Sequence, residues 1–284
     1  MAKDAWVTGA SGGIGRAIAR HLAEAGYRVF ASARRSERLE ELRSAQIVPL
    51  PMDVTDSHAV ALAGRRIAEV AGKLDVLVNN AGFGLYGTIE GASDEDIRRQ
   101  FDVNVFGLGR VTRAALPMLR RGELPTVVNI SSVVGKLALP FAGWYSATKH
   151  AMEAISDALR LETAPLGVRV VVIEPGAIKT DFDATALGLL DASADPLDYH
   201  PARKGFREAV VDAYRTAPGP DAVARAVLRA VQSKRPRRRY ATPGSAKAFM
   251  VARRLLPDGA FDWILSRVLR LRRYSRDRSG GSPS

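Results

Sequence analysis

The chain of 284 residues has no cysteine. Disulfides, thiolate metal sites and a cysteine nucleophile are therefore excluded, and the composition suits a reducing cytoplasm. Its four histidines (His21, His58, His150 and His200) are scattered, with no pair at ligand spacing, so no metal site is expected. No stretch of about 18 uninterrupted apolar residues offers a membrane span. The opening MAKDAWVTGASGG runs into a candidate strand without an apolar segment of signal length.

Charge is plentiful but uneven. The formal net charge is +12, yet residues 233–284 hold 14 Lys and Arg against three Asp. The body is nearly balanced; the C-terminal stretch is strongly basic. With 46% hydrophobic residues, a sizeable core is expected.

Short apolar runs alternate with helix-period stretches. Strands are expected near 4–8, 28–32, 47–50, 75–79, 126–131, 168–174 and 238–242. Helices are expected near 13–25, 36–44, 56–71, 94–120, 145–164 and 220–232. Strand–helix alternation builds parallel sheets through crossover connections, and runs such as VVVI suit strands covered on both faces. The expected fold is α/β, a doubly wound Rossmann fold with a parallel seven-stranded sheet and helices on both faces. Residues 1–243 read as one domain with a long irregular substrate loop at about 183–215. Residues 244–274 read as a basic amphipathic extension and 275–284 as a disordered tail.

TGASGGIG (8–15) joins the first strand to the first helix. Phosphates must approach backbone N–H groups at the positive end of a helix, and a Cβ would block them. The spacing Gly9, Gly13, Gly15 departs from the common dinucleotide pattern GxGxxG. Gly9 to Gly13 also fits GxSxG, a nucleophile elbow around Ser11. An elbow needs an earlier strand–helix loop for its oxyanion hole, and only ten residues precede Ser11. The second strand ends in RVFASARR, with Ala33, Arg34 and Arg35 where an NAD site would carry a carboxylate. Guanidiniums there suit a 2′-phosphate; the other reading is a solvated helix start pairing with Glu37. NADP is expected, with NAD less favoured.

In YSATK, Tyr145 and Lys149 fall on one face of a predicted helix. An ammonium beside a phenol favours the phenolate, which makes proton exchange with a carbonyl or alcohol oxygen accessible near neutral pH. The spacing by itself is common on helices. Here, however, four motifs stand in order: TGASGGIG (8–15), NNAG (79–82), NISS (129–132) and YSATK (145–149), with PGAIKT (175–180) after the sixth strand. In these motifs the chain resembles the classical short-chain dehydrogenases/reductases over roughly residues 3–182 and 220–243.

That resemblance implies a catalytic set of Asn104, Ser132, Tyr145 and Lys149. Tyr145 is then the acid/base and Lys149 its ribose-binding partner. Ser132 holds the substrate oxygen, and Asn104 holds a relay water. Ser131 is the rival serine, but the spacing to Tyr145 selects Ser132. It further implies cofactor contacts from Gly9, Ser11, Gly12, Gly13, Ile14, Gly15, Arg34, Arg35, Asp53, Val54, Asn80, Ala81, Gly82, Pro175, Gly176, Ile178 and Thr180. Residues 79–119 resemble the branch of 17β-hydroxysteroid and retinol dehydrogenase-type ketone reductases. KLALPFAGWY adds Leu137, Leu139, Pro140, Phe141 and Trp144 around the serine and tyrosine, an apolar wall suited to a lipophilic ketone or alcohol. The alternative is that these side chains pack together or against a second subunit. The family habit also implies a homodimer or homotetramer through helices 94–120 and 145–164.

Along AFDWILSRVLRLRR (260–273) the apolar residues Phe261, Ile264, Leu265, Val268 and Leu269 recur at helical spacing. This segment either packs on the protein or lies on a membrane surface. Nucleic acid is not expected, since the basic stretch lacks interleaved aromatics. A different class remains open: a dinucleotide-binding sensor or scaffold without turnover.

Overall fold

The structure, a computed structural model, describes residues 3–271. The expected disordered tail at 275–284 lies outside the described residues. Strands β1 (Lys3–Thr8), β2 (Tyr27–Ala33), β3 (Ile47–Pro51), β4 (Val76–Asn79), β5 (Thr126–Ile130), β6 (Arg169–Pro175) and β7 (Arg239–Thr242) form one sheet. Their order is β3-β2-β1-β4-β5-β6-β7, and every pairing is parallel. The expected seven-stranded Rossmann sheet is therefore present.

Alternation along the strands supplies two cores. In β1, Ala5 and Val7 face one layer, where α1 (Gly13–Glu24), α2 (Ser36–Glu40) and α9 (Asp221–Gln232) pack. Trp6 faces the other, against α3 (Ser57–Ala71), α5 (Gly107–Leu119) and α6 (Gly143–Thr163). The Trp6 indole N–H donates to Ser32 at 2.7 Å, so burial leaves no orphan. The helix expected over 94–120 is in fact α4 (Asp94–Phe101) and α5, joined by a π turn at Asp102–Phe106. Ser93 caps its start through the Asp96 N–H, and acids fill the first turn.

The largest departure lies between β6 and α9. The irregular substrate loop expected at 183–215 is mostly helical: α7 (Asp181–Asp191) and α8 (His200–Arg215). Thr180 caps α7 by accepting from the Phe182 N–H. After β7 the chain forms α10 (Gly244–Leu255) and α11 (Asp258–Val268), broken at Leu256, which is extended before Pro257. The amphipathic run at 260–273 thus starts with α11. Its Phe261, Leu265 and Leu269 join Phe206 and Val210 of α8 in a third apolar cluster that also contains Tyr145. Burying each such side chain contributes about 1.5–3 kcal/mol. Packing against the protein therefore describes one face of the C-terminal segment.

Candidate active site

The site sits at the carboxyl ends of five strands. Residues just past β1 (Gly9), β4 (Asn80), β5 (Ser131, Ser132), β6 (Gly176) and β7 (Pro243) all line one cavity of about 920 Å³. The turn after β1 is held open by side-chain-to-backbone hydrogen bonds. The Thr8 hydroxyl accepts from the Asn80 and Ala81 N–H groups at 3.0 and 3.1 Å, and the Asn80 amide donates back to the Thr8 carbonyl at 3.0 Å. A Cβ on Gly9, whose φ is +67°, would lie 2.8 Å from the Asn80 amide nitrogen. NNAG thus clamps the glycine turn from behind.

Helix α1 then begins with Gly12 as N-cap, no side-chain cap and no acid in its first turn. Its leading N–H groups and positive dipole end face the cavity side of Gly12 and Gly13, which suits an anionic group. Arg35 donates from Nε and Nη2 to the Ser11 hydroxyl, both at 3.3 Å, and lines the cavity beside Gly12. Gly12, Gly13 and the start of α1 fit the diphosphate of a dinucleotide, with the Arg35 cation beside them.

Not every expected cofactor residue is brought there. Arg34 turns toward Asp53, 3.9 Å away, and lies outside the lining. Asp53 spends one oxygen on the Thr55 N–H and hydroxyl at 2.9 Å, and Val54 packs against Gly107; neither lines the cavity. Ser11 holds Arg35, while Gly15 lies behind the turn, where a Cβ would strike the Gly9 carbonyl. Ile14, Ala81, Gly82, Pro175, Gly176, Ile178 and Thr180 do line it.

At the other end of the cavity α6 presents Tyr145 and Lys149 one turn apart, both buried. The Lys149 ammonium donates to the Ile130 carbonyl at 2.8 Å and lies 5.8 Å from the centre of the phenol ring. Ser132 donates to the Pro175 carbonyl at 3.3 Å and accepts from the Val134 N–H at 3.3 Å. The Ser131 hydroxyl is buried without a partner.

Burial governs the acidities. Desolvation pushes Tyr145 well above the ordinary phenol value; Tyr86 adds to this, and the nearby Ser132 hydroxyl opposes it. Burial lowers Lys149 to about 8, with Glu153 one turn on opposing. The expected lowering of the phenol by its lysine is thus outweighed here, because the phenol lies in an apolar wall between Tyr86 (6.3 Å) and Phe182 (5.6 Å).

Asn104 lies in the π turn, fully buried. Its Oδ1 accepts from the Phe83 N–H at 3.1 Å. Its Nδ2 donates to the Phe83 carbonyl at 2.9 Å and to Thr148 at 3.1 Å. Both Nδ2 hydrogens are used, while Oδ1 keeps a second lone pair. The apolar wall also differs from expectation. Leu137 and Leu139 line the cavity, but Phe141 and Trp144 do not. Phe141, at φ +56°, turns into an aromatic cluster with Phe206 (5.3 Å) and Tyr199. Trp144 leaves its indole nitrogen buried and unpartnered.

Sequence reasoning missed Tyr86, Phe182 and Tyr214, which complete the wall together with Leu265 of the C-terminal segment. Tyr86 is held at about 12 by burial, and Tyr214 is raised by the same cause. Only the aromatic content of segments taken for loops could have hinted at them.

A parallel sheet, a glycine turn at an uncapped helix start and a buried Ser–Tyr–Lys set define a dinucleotide-dependent oxidoreductase. The short chain dehydrogenase family model matches residues 3–187. The chain belongs to that short-chain dehydrogenase/reductase family. It is 38% identical to an NADPH-dependent 3-dehydrocapnine reductase of Ornithobacterium rhinotracheale, over 93% of this chain and 96% of the relative. Among solved structures it resembles a short chain dehydrogenase from Burkholderia cenocepacia in complex with NADP (26% identity, TM-score 0.74, covering 94% and 98%). A short chain dehydrogenase/reductase from Burkholderia phymatum in complex with NAD is similarly alike (25%, TM-score 0.77, covering 89% and 93%).

Proposed function

We propose that the protein is an NADP(H)-dependent reductase of a lipophilic ketone or aldehyde, with Tyr145 as proton donor. The observation that carries this reading is the placement of a buried Tyr145, beside Lys149 and Ser132, in the same apolar cavity that holds the glycine turn. Bound nicotinamide supplies or accepts the hydride. Everything else falls to the chain. Burial keeps the proton on Tyr145 at neutral pH, which is the state that carbonyl reduction needs. Alcohol oxidation would start from the phenolate and so asks for cationic help from Lys149 and the oxidised ring.

Ser132 takes the substrate oxygen by turning its hydroxyl from Pro175. Lys149, tethered to Ile130, reaches a ribose hydroxyl and fixes the polar end of the site. Asn104 supports the floor through Phe83 and Thr148. Arg35, more than Arg34, grips the 2′-phosphate, and the NADPH-dependent relative favours the same cofactor. Leu139, Leu137, Phe182 and Tyr214 orient the substrate by burial.

The test is NADPH oxidation at 340 nm across a panel of ketones and aldehydes of increasing chain length. Turnover rising with apolar length supports the reading; no turnover on any of them, with NADPH still bound, indicates a non-catalytic sensor. We also infer a dimer or tetramer through α4–α5 and α6, where Phe106 and Leu161 are exposed. A monomer by light scattering contradicts that.

A further inference from the structure

The C-terminal helices have two faces, and only one is explained by packing. Phe261, Leu265 and Leu269 point into the cavity cluster. The outer face carries Val251, Leu255 and Trp263, three of the 15 exposed large apolar side chains among the described residues. Leu255 is 74% exposed and Trp263 62%. Interspersed with them are Lys247, Arg254 and Arg267, and the Arg267 guanidinium lies 5.4 Å from the Trp263 ring. No helix among the described residues is long and apolar enough to cross a membrane.

We propose that the outer face of α10 and α11 seats on an anionic lipid surface, with the cavity mouth opening directly onto it. Charge complementarity selects this occupant. Between Gly244 and Leu271 five basic residues meet two acidic ones, Asp258 and Asp262, whereas residues 1–232 are nearly neutral. Exposed aromatic and aliphatic groups beside arginines match the headgroup–acyl boundary, where the apolar side inserts and the cations meet lipid phosphates. The second element is geometric. Phe249 and Val268, on the cavity side of the same two helices, are exposed and line the cavity, so the mouth opens beside the seat. A substrate leaving the bilayer would enter between α10 and α11 without crossing water. That entry route rests on the lipophilic-substrate reading above; the seating itself does not.

Co-sedimentation of the full chain with vesicles tests it, using phosphatidylcholine alone and phosphatidylcholine with 30% phosphatidylglycerol. Binding at least tenfold stronger to the anionic vesicles is expected, falling at high salt. Arg254→Gln and Arg267→Gln should each weaken it about fivefold. Leu255→Ser with Trp263→Ser should abolish it while NADPH-dependent reduction of a water-soluble ketone is retained. Both side chains are exposed, so an unchanged melting temperature confirms that this variant folds. Equal affinity for the two vesicle types, or none for either, overturns the proposal. So does a wild-type oligomer that dissociates in the double variant, since a second copy then covers the face. Sedimentation needs no turnover, so an inactive protein that still binds anionic vesicles would sink the catalytic reading and leave this one standing.

Discussion

The glycine-turn half of the cavity and the half capped by α7, α8, α10 and α11 are built on different principles. In the first, short polar side chains meet backbone: the Thr8 hydroxyl and the Asn80 amide lock the loop after β1, and there is no room for one methyl group at Gly9 or Gly15. In the second, side chains meet side chains, with Phe206, Val210, Leu265 and Leu269 interlocking around a void. Tight backbone geometry fixes a cofactor that must be placed to a fraction of an ångström. Apolar packing can be exchanged residue by residue, which suits a surface that selects among lipophilic molecules.

Cofactor choice should break this comparison most visibly. Arg35→Asp removes the charged donor beside Ser11 and Gly12. We expect the preference for NADPH over NADH to fall roughly 10–100-fold in kcat/KM. Arg34→Asp, at a side chain already turned toward Asp53, should shift it far less. Equal effects would return the 2′-phosphate to both arginines.

Glycine replacements should sharpen the contrast next. Gly15→Ala drives a Cβ into the Gly9 carbonyl and the Asn80 amide, and should cost about 1–3 kcal/mol along with NADPH affinity. Gly188→Ala, inside α7 with nothing within 4 Å, should stabilise by up to about 1 kcal/mol. Thermal melts with and without NADPH distinguish them. Destabilisation of similar size at both sites would contradict the division.

The smallest effect concerns pH. Glu174, at the end of β6, is raised to about 7, chiefly by burial and then by Glu153; Lys136 and Arg239 oppose. Its folded value lies above its unfolded one, so the native state holds more protons between about pH 4.5 and 7. Stability should therefore fall as pH rises through that window. Glu174→Gln should flatten this slope and gain on the order of 1 kcal/mol at pH 8. An unchanged slope in denaturant melts at pH 5, 6, 7 and 8 rules the carboxyl out as its source.

The same division sets how much could be read from the sequence. The strands and the glycine turn were legible because each depends on local spacing: alternation in DAWVT, four glycines in eight residues. The Ser–Tyr–Lys set was legible through the resemblance of its motifs to the family, since a phenol and an amine one turn apart are common on helices. The cap was not. Gly188, Pro196, Pro201 and Gly205 made 183–215 read as a loop, yet Pro201 sits in the first turn of α8, where its missing N–H costs nothing. Gly205 is no breaker either; the backbone at Arg270 comes too close there for a side chain. That contact is 65 residues away in sequence, and no local pattern announces it. The π turn around Asn104 was hidden for the same reason, since Phe83 and Thr148 supply its partners. Arg34 and Arg35 looked equivalent because two adjacent guanidiniums differ only in which neighbour they meet.

The most direct test is Tyr145→Phe, which deletes one oxygen and keeps the ring between Tyr86 and Phe182. Single-turnover reduction and NADPH titration should be measured on the same preparation. Loss of at least a hundredfold in rate with NADPH affinity within a factor of two or three is predicted. A variant that reduces ketone at near wild-type rate would remove the phenol from the chemistry.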